Sequence, residues 1–68
     1  MFPDVGQRIK QCRKEHHMTQ QELAEYLHIS VNTLSNYEHN RTIPTLSLIS
    51  SLADLFDTTM DDIIRYIK

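Results

Sequence analysis

The chain contains one cysteine, one glycine, two prolines and no tryptophan in 68 residues. Each scarcity excludes something. A lone thiol, Cys12, cannot close an intramolecular disulfide, so a reducing cytoplasm is the expected setting. With so little glycine and proline there is no linker or low-complexity tract, and loops must be short. No apolar run approaches the roughly 20 residues that span a bilayer, and "MFPDVGQRIK" lacks the apolar core of a signal peptide. Neither membrane insertion nor secretion is expected. Alternating apolar and polar residues are missing too, which leaves helices as the building material. A chain this short buries only about 60% of its unfolded surface. One domain over residues 1–68 with an efficient helical core is the reading.

Signals of catalysis are also missing. There is no glycine-rich phosphate loop, nucleophile elbow or His-Glu metal motif, and short helices poorly enclose a ligand pocket of roughly 300–1,000 Å³. The expectation is a protein that is not an enzyme and needs no cofactor. His16, His17, His28 and His39 show no repeated spacing. Cys12 and His16 stand four apart and would suit a shared ion, yet a free cysteine is often simply buried, so no metal site is expected. Glu22 and Glu25 read as a cap and a solvated face.

The formal net charge is -2, unusual for a nucleic-acid binder. Its distribution is uneven. Arg8, Lys10, Arg13 and Lys14 dominate residues 1–17, whereas Asp54, Asp57, Asp61 and Asp62 dominate 43–68. A polarised molecule can present one usable face despite an acidic total.

What is present is helical periodicity with caps. Helix 1 is expected to follow Pro3, with Asp4 as N-cap, Gln7 three residues on, and Val5, Ile9 and Cys12 facing inward. "HHM" ends it. Thr19-Gln20-Gln21-Glu22 fits a capping box opening helix 2, whose Leu23, Ala24 and Leu27 face in. Only His28 and Ile29 then precede Ser30, another strong N-cap type, so a tight turn and a short helix over about 31–38 follow. His39 to Pro44 forms the longest loop. Leu46, Ile49, Leu52, Ala53 and Phe56 recur at helical spacing, and Thr59 caps a last helix bearing Met60, Ile63, Ile64 and Ile67. The fold class is all-α, a bundle of five short helices.

The third helix lacks something as well: charge on its outer face. Leu34 and Tyr37 share its inward side, which leaves Val31, Asn32, Ser35 and Asn36 outside without Lys or Glu. Short amides and hydroxyls let another surface approach closely. An Asn amide can bond adenine bidentately, and a valine methyl can pack on a thymine methyl. On this segment alone, a neutral solvent-facing helix is an equal alternative.

Helix, tight turn and helix within about 20 residues is helix-turn-helix spacing, here over about 19–38. With "GQRIKQCRKE", "MTQQELAEYL", "ISVNTLSNYEHNRTIP" and "LADLFDTTMDDI", the chain resembles the lambda-repressor-like, Cro-type helix-turn-helix family from about Gly6 to Ile64. That resemblance implies a recognition helix in the major groove of double-stranded DNA, with Val31, Asn32, Ser35 and Asn36 reading bases. It implies phosphate contacts from Gln20, Ser30, Thr33, Asn40, Arg41 and Thr42. Arg13 and Glu38 match a family ion pair that braces the recognition helix. Two positions depart from the pattern: His28 and Asn40 stand where the family often has glycine, which would strain His28 if a left-handed backbone is required there. The uncharged reading face points to A·T-containing targets.

The implied function is a sequence-specific transcriptional regulator, a bacterial or phage repressor that binds a palindromic operator as a homodimer. The stripe Met60, Ile63, Ile64 and Ile67, with Tyr66, reads equally as dimer surface or as closure of the core. The rival reading is a protein-binding module of the same fold, antitoxin-like or antirepressor-like, with a regulatory protein as partner.

Overall fold

The computed structural model describes residues 4–64. Pro3, Tyr66 and Ile67, named above, lie outside the described residues. Among the described residues the chain forms α1 (Val5–Glu15), α2 (Gln20–Leu27), α3 (Val31–Glu38), α4 (Leu46–Leu55) and α5 (Met60–Ile63), with no strand.

Each helix starts on a side-chain oxygen. Asp4, Thr19, Ser30, Thr45 and Thr59 accept from the backbone N–H of Gln7, Glu22, Thr33, Leu48 and Asp62 respectively. The first N–H groups of a helix have no internal partner, so each cap satisfies one of them. At α2 the box is reciprocal: Glu22 Oε1 accepts from the Thr19 N–H at 2.8 Å while Thr19 Oγ1 accepts from the Glu22 N–H at 3.1 Å.

The ends of α1 to α4 follow one plan. The N–H groups of Met18, Ile29, Arg41 and Thr58 reach back five residues to the carbonyls of Arg13, Ala24, Asn36 and Ala53, at 2.9–3.0 Å. That bond needs a left-handed residue just before its donor, a place glycine usually fills. Here His17, His28, Asn40 and Asp57 fill it, with φ between 53° and 58°. For a side chain with a Cβ this conformation costs roughly 1–2 kcal/mol. Glycine loses about 0.5–1 kcal/mol of that advantage through its freer unfolded chain. His28→Gly is therefore expected to stabilise the fold by about 0.5–1 kcal/mol, seen as a higher thermal midpoint by circular dichroism. An unchanged or lower midpoint would show that His28 carries no strain.

The core gathers Val5, Ile9 and Cys12 from α1, Leu23 and Ala24 from α2, and Leu34 from α3. Ile49, Leu52, Ala53, Phe56 and Ile63 complete it from the second half. Met60 and Ile64 pack against this cluster, so the described part of the last stripe closes the domain's own core. Leu46 departs from its helical series, being 68% exposed at the first turn of α4, ahead of the level at which the core begins. Arg8 fastens α1 to α5: its guanidinium bonds the Asp62 carboxylate, which also accepts from Thr58 Oγ1 at 2.8 Å. The hydrogen bond to Asp62 raises the Arg8 pKa further above its already high ordinary value.

Candidate nucleic-acid interface

The turn between α2 and α3 holds three residues, 28–30. His28 takes the left-handed bend, half-buried Ile29 packs against the core, and Ser30 caps α3. Leu34, fully buried, anchors α3, and half-buried Tyr37 packs beside it. The opposite side is thereby turned outward. Val31 and Asn32 are exposed, whereas Ser35 and Asn36 are half-buried. Among the described residues no group hydrogen-bonds the Asn32 amide.

Several expected phosphate contacts already have internal work. The Ser30 hydroxyl donates to Thr33 Oγ1 at 2.9 Å and accepts from the Thr33 N–H, so its single proton is spent. Thr33 keeps its own proton to donate. Gln20 donates from Nε2 to Glu38 Oε1 at 3.0 Å, linking the start of α2 to the end of α3. Arg41 and Thr42 are exposed, and Arg41 Nη1 lies 3.5 Å from Asn36 Oδ1, at the limit of a hydrogen bond. Asn40 is committed elsewhere: its Oδ1 accepts from the Gly6 N–H at 2.9 Å and its Nδ2 donates to Asp4 Oδ1 at 2.8 Å.

Arg13 and Glu38 meet beneath this surface. Arg13 Nε lies 2.7 Å from Glu38 Oε2, Nη2 lies 3.3 Å from Oε1, and Nη1 donates to the Met18 carbonyl at 2.9 Å. The Glu38 side chain is 1% exposed and that of Arg13 is 9% exposed. This fork joins α1, the α1–α2 turn and the last residue of α3, with Gln20 bringing in α2. The acid beside the candidate surface is thus turned inward and neutralised.

Cys12 is buried in the core, while His16 donates from Nδ1–H to the Cys12 carbonyl at 2.9 Å and lies against Phe56. Among the described residues no group of three His, Cys, Asp or Glu side chains converges as a metal site would require. No helix among the described residues is long and apolar enough to cross a membrane.

Sequence reasoning missed two long-range links, Asp4–Asn40–Gly6 and Arg8–Asp62. The first had one signal: the sole glycine falls inside a helix, where it is unfavourable unless something approaches closely.

A helix-turn-helix family model matches residues 9–63. The chain is 37% identical over 57 residues to the HTH-type transcriptional regulator ImmR of Bacillus subtilis, covering 84% of this chain and 45% of that protein. It is 45% identical over 49 residues to the immunity repressor protein of Bacillus phage phi105, covering 72% and 34%. Antitoxin PezA of Streptococcus pneumoniae is 37% identical over 60 residues, covering 88% and 38%. The chain therefore spans less than half the length of these curated relatives. Among solved structures, that of the biofilm regulator SinR in complex with DNA superposes with a TM-score of 0.80 at 31% identity, covering 90% of this chain and 98% of that one.

Proposed function

Because the chain belongs to the helix-turn-helix family, we propose that it is a sequence-specific transcriptional regulator that binds double-stranded DNA, a repressor acting as a homodimer on a palindromic operator. The observation that carries this reading is the outer side of α3, where exposed Val31 and Asn32 continue into Ser35 and Asn36 without a charged side chain. Such a face suits direct reading of base edges, with amides on adenine and the Val31 methyls on thymine. SinR, solved on DNA, and the phi105 repressor support it by likeness. Gln20, Thr33, Arg41 and Thr42 would hold phosphates, setting register. A two-fold pair of such domains would place recognition helices about 34 Å apart.

The division of labour is testable. Asn32→Ala or Asn36→Ala is expected to cost about 1–3 kcal/mol on a site selected from random duplexes, and less on unselected DNA. Arg41→Ala should weaken every sequence alike and make the salt dependence shallower by about one unit of slope. Identical behaviour of the two kinds of substitution would defeat the assignment. Likeness to antitoxin PezA favours a second reading, a module that holds a protein partner. Affinity for mixed-sequence duplex that is absent, or flat with salt, would select that reading instead.

A further inference from the structure

We infer that Asn40 and Asp4 are positioning residues that fix the loop cation Arg41 against DNA; this rests on the DNA-binding reading above. Asn40 occupies a left-handed position, with φ 57°, that glycine would fill with less strain. Its side chain explains the choice. The amide oxygen accepts from the Gly6 N–H at 2.9 Å, and the amide nitrogen donates to Asp4 Oδ1 at 2.8 Å. That same carboxylate oxygen accepts from the Gln7 N–H at 3.1 Å. The start of α1 is thus capped twice, once by its own N-cap and once by a residue 34 positions away.

Arg41 follows directly. Its own N–H is held by the Asn36 carbonyl at 2.9 Å, so both its backbone and the preceding side chain are tied down. The guanidinium therefore extends from a point fixed to α1 and α3, and less conformational freedom is lost when it meets a phosphate. A carboxylate beside a phosphate-facing loop repels DNA, a cost that the N-cap role of Asp4 and its bond to Asn40 offset.

The test uses fluorescence anisotropy with mixed-sequence duplex DNA over a range of salt, with each variant checked for folding by circular dichroism. Arg41→Ala should weaken binding about fivefold to tenfold near 0.1 M salt, the loss of one phosphate contact. In an Asn40→Gly background, where the left-handed backbone is kept and the amide lost, the same substitution should cost less than about twofold. The Asp4 variants should differ in sign. Asp4→Ala is expected to weaken binding, whereas Asp4→Asn keeps an acceptor for Asn40, removes a repelling charge and should strengthen it. A merely structural part in stability would not produce that opposition, and the Asp4 pair decides the matter even should Asn40→Gly unfold. Equal losses from Arg41→Ala in both backgrounds, or stronger binding by both Asp4 variants, would overturn the inference. Salt-independent or absent binding by the unaltered chain would instead overturn the proposed function, and the inference with it.

Discussion

Gly6→Ala is expected to destabilise the fold by at least about 3 kcal/mol, a large share of what a domain of this length has to lose. Helix propensity alone predicts the reverse, since Ala is better than Gly inside a helix by roughly 0.5–1 kcal/mol. Geometry decides against propensity. A Cβ at position 6 would stand 2.7 Å from both the Glu38 carbonyl oxygen and Asn40 Oδ1, and nearer still to the Tyr37 carbonyl oxygen. Two of these three atoms are backbone at the end of α3 and cannot swing aside. α1 would have to withdraw, breaking the Gly6–Asn40 hydrogen bond and loosening Ile9 and Cys12 in the core. Overpacking typically costs about 1–3 kcal/mol where side chains can adjust, and more where they cannot. A domain of this length has only about 3–10 kcal/mol of stability to lose. Urea or thermal unfolding followed by circular dichroism checks it, with exposed Gln7→Ala as a control expected within about 0.5 kcal/mol. A cooperative transition within a few degrees of the unaltered chain would contradict the close approach of α1 to α3.

Gly6 marks where the sequence stops being legible. Four helix starts were readable because Asp4, Thr19, Ser30 and Thr59 act on N–H groups three residues away, within reach of local pattern; Thr45 does the same for α4 and was not singled out. The inward residues of α2 and α3 followed from periodicity for the same reason. Helix ends were harder, because the usual glycine signal is absent and His17 and Asp57 carry no mark of a left-handed backbone. Leu46 shows the limit of periodicity, which reports a face of the helix but not whether the core extends as far as its first turn. Contacts at 34 to 54 residues' separation, such as Gly6–Asn40 and Arg8–Asp62, leave no periodic trace. The pairing of Arg13 with Glu38, 25 residues apart, leaves no such trace either, and family resemblance, not spacing, suggested it. On the candidate surface, residue type revealed which side chains suit bases. It could not reveal that the Ser30 proton and the Asn40 amide are used within the chain.

Arg13→Met is expected to destabilise the fold by about 3–5 kcal/mol, the usual cost of stranding one member of a buried ion pair. Glu38, 1% exposed in its side chain, would among the described residues keep only the Gln20 amide against its charge. Glu38→Gln should cost a comparable amount, because the guanidinium would lose its counter-charge while remaining tied to the Met18 carbonyl. Lysine is no substitute at position 13, since one ammonium cannot serve both carboxylate oxygens and the Met18 carbonyl together. The informative variant is the double one, Arg13→Met with Glu38→Leu. With neither charge left to strand, stability should return to within about 1–2 kcal/mol of the unaltered chain, giving a double-mutant cycle dominated by coupling. The two possible roles of the pair then separate. If it serves orientation of α3, the double variant will be stable yet bind a selected DNA site at least about tenfold more weakly, a loss of roughly 1.4 kcal/mol. The three Arg13 bonds and the Gln20 bond converge on the last turn of α3 and the start of α2, the two elements whose mutual angle sets where Asn32 and Asn36 arrive. Apolar side chains of similar volume fill that space without fixing that angle, so stability and binding are expected to part company. Single substitutions costing under about 1 kcal/mol would mean that water reaches the pair, and a double variant binding DNA as well as the unaltered chain would remove its part in orienting α3.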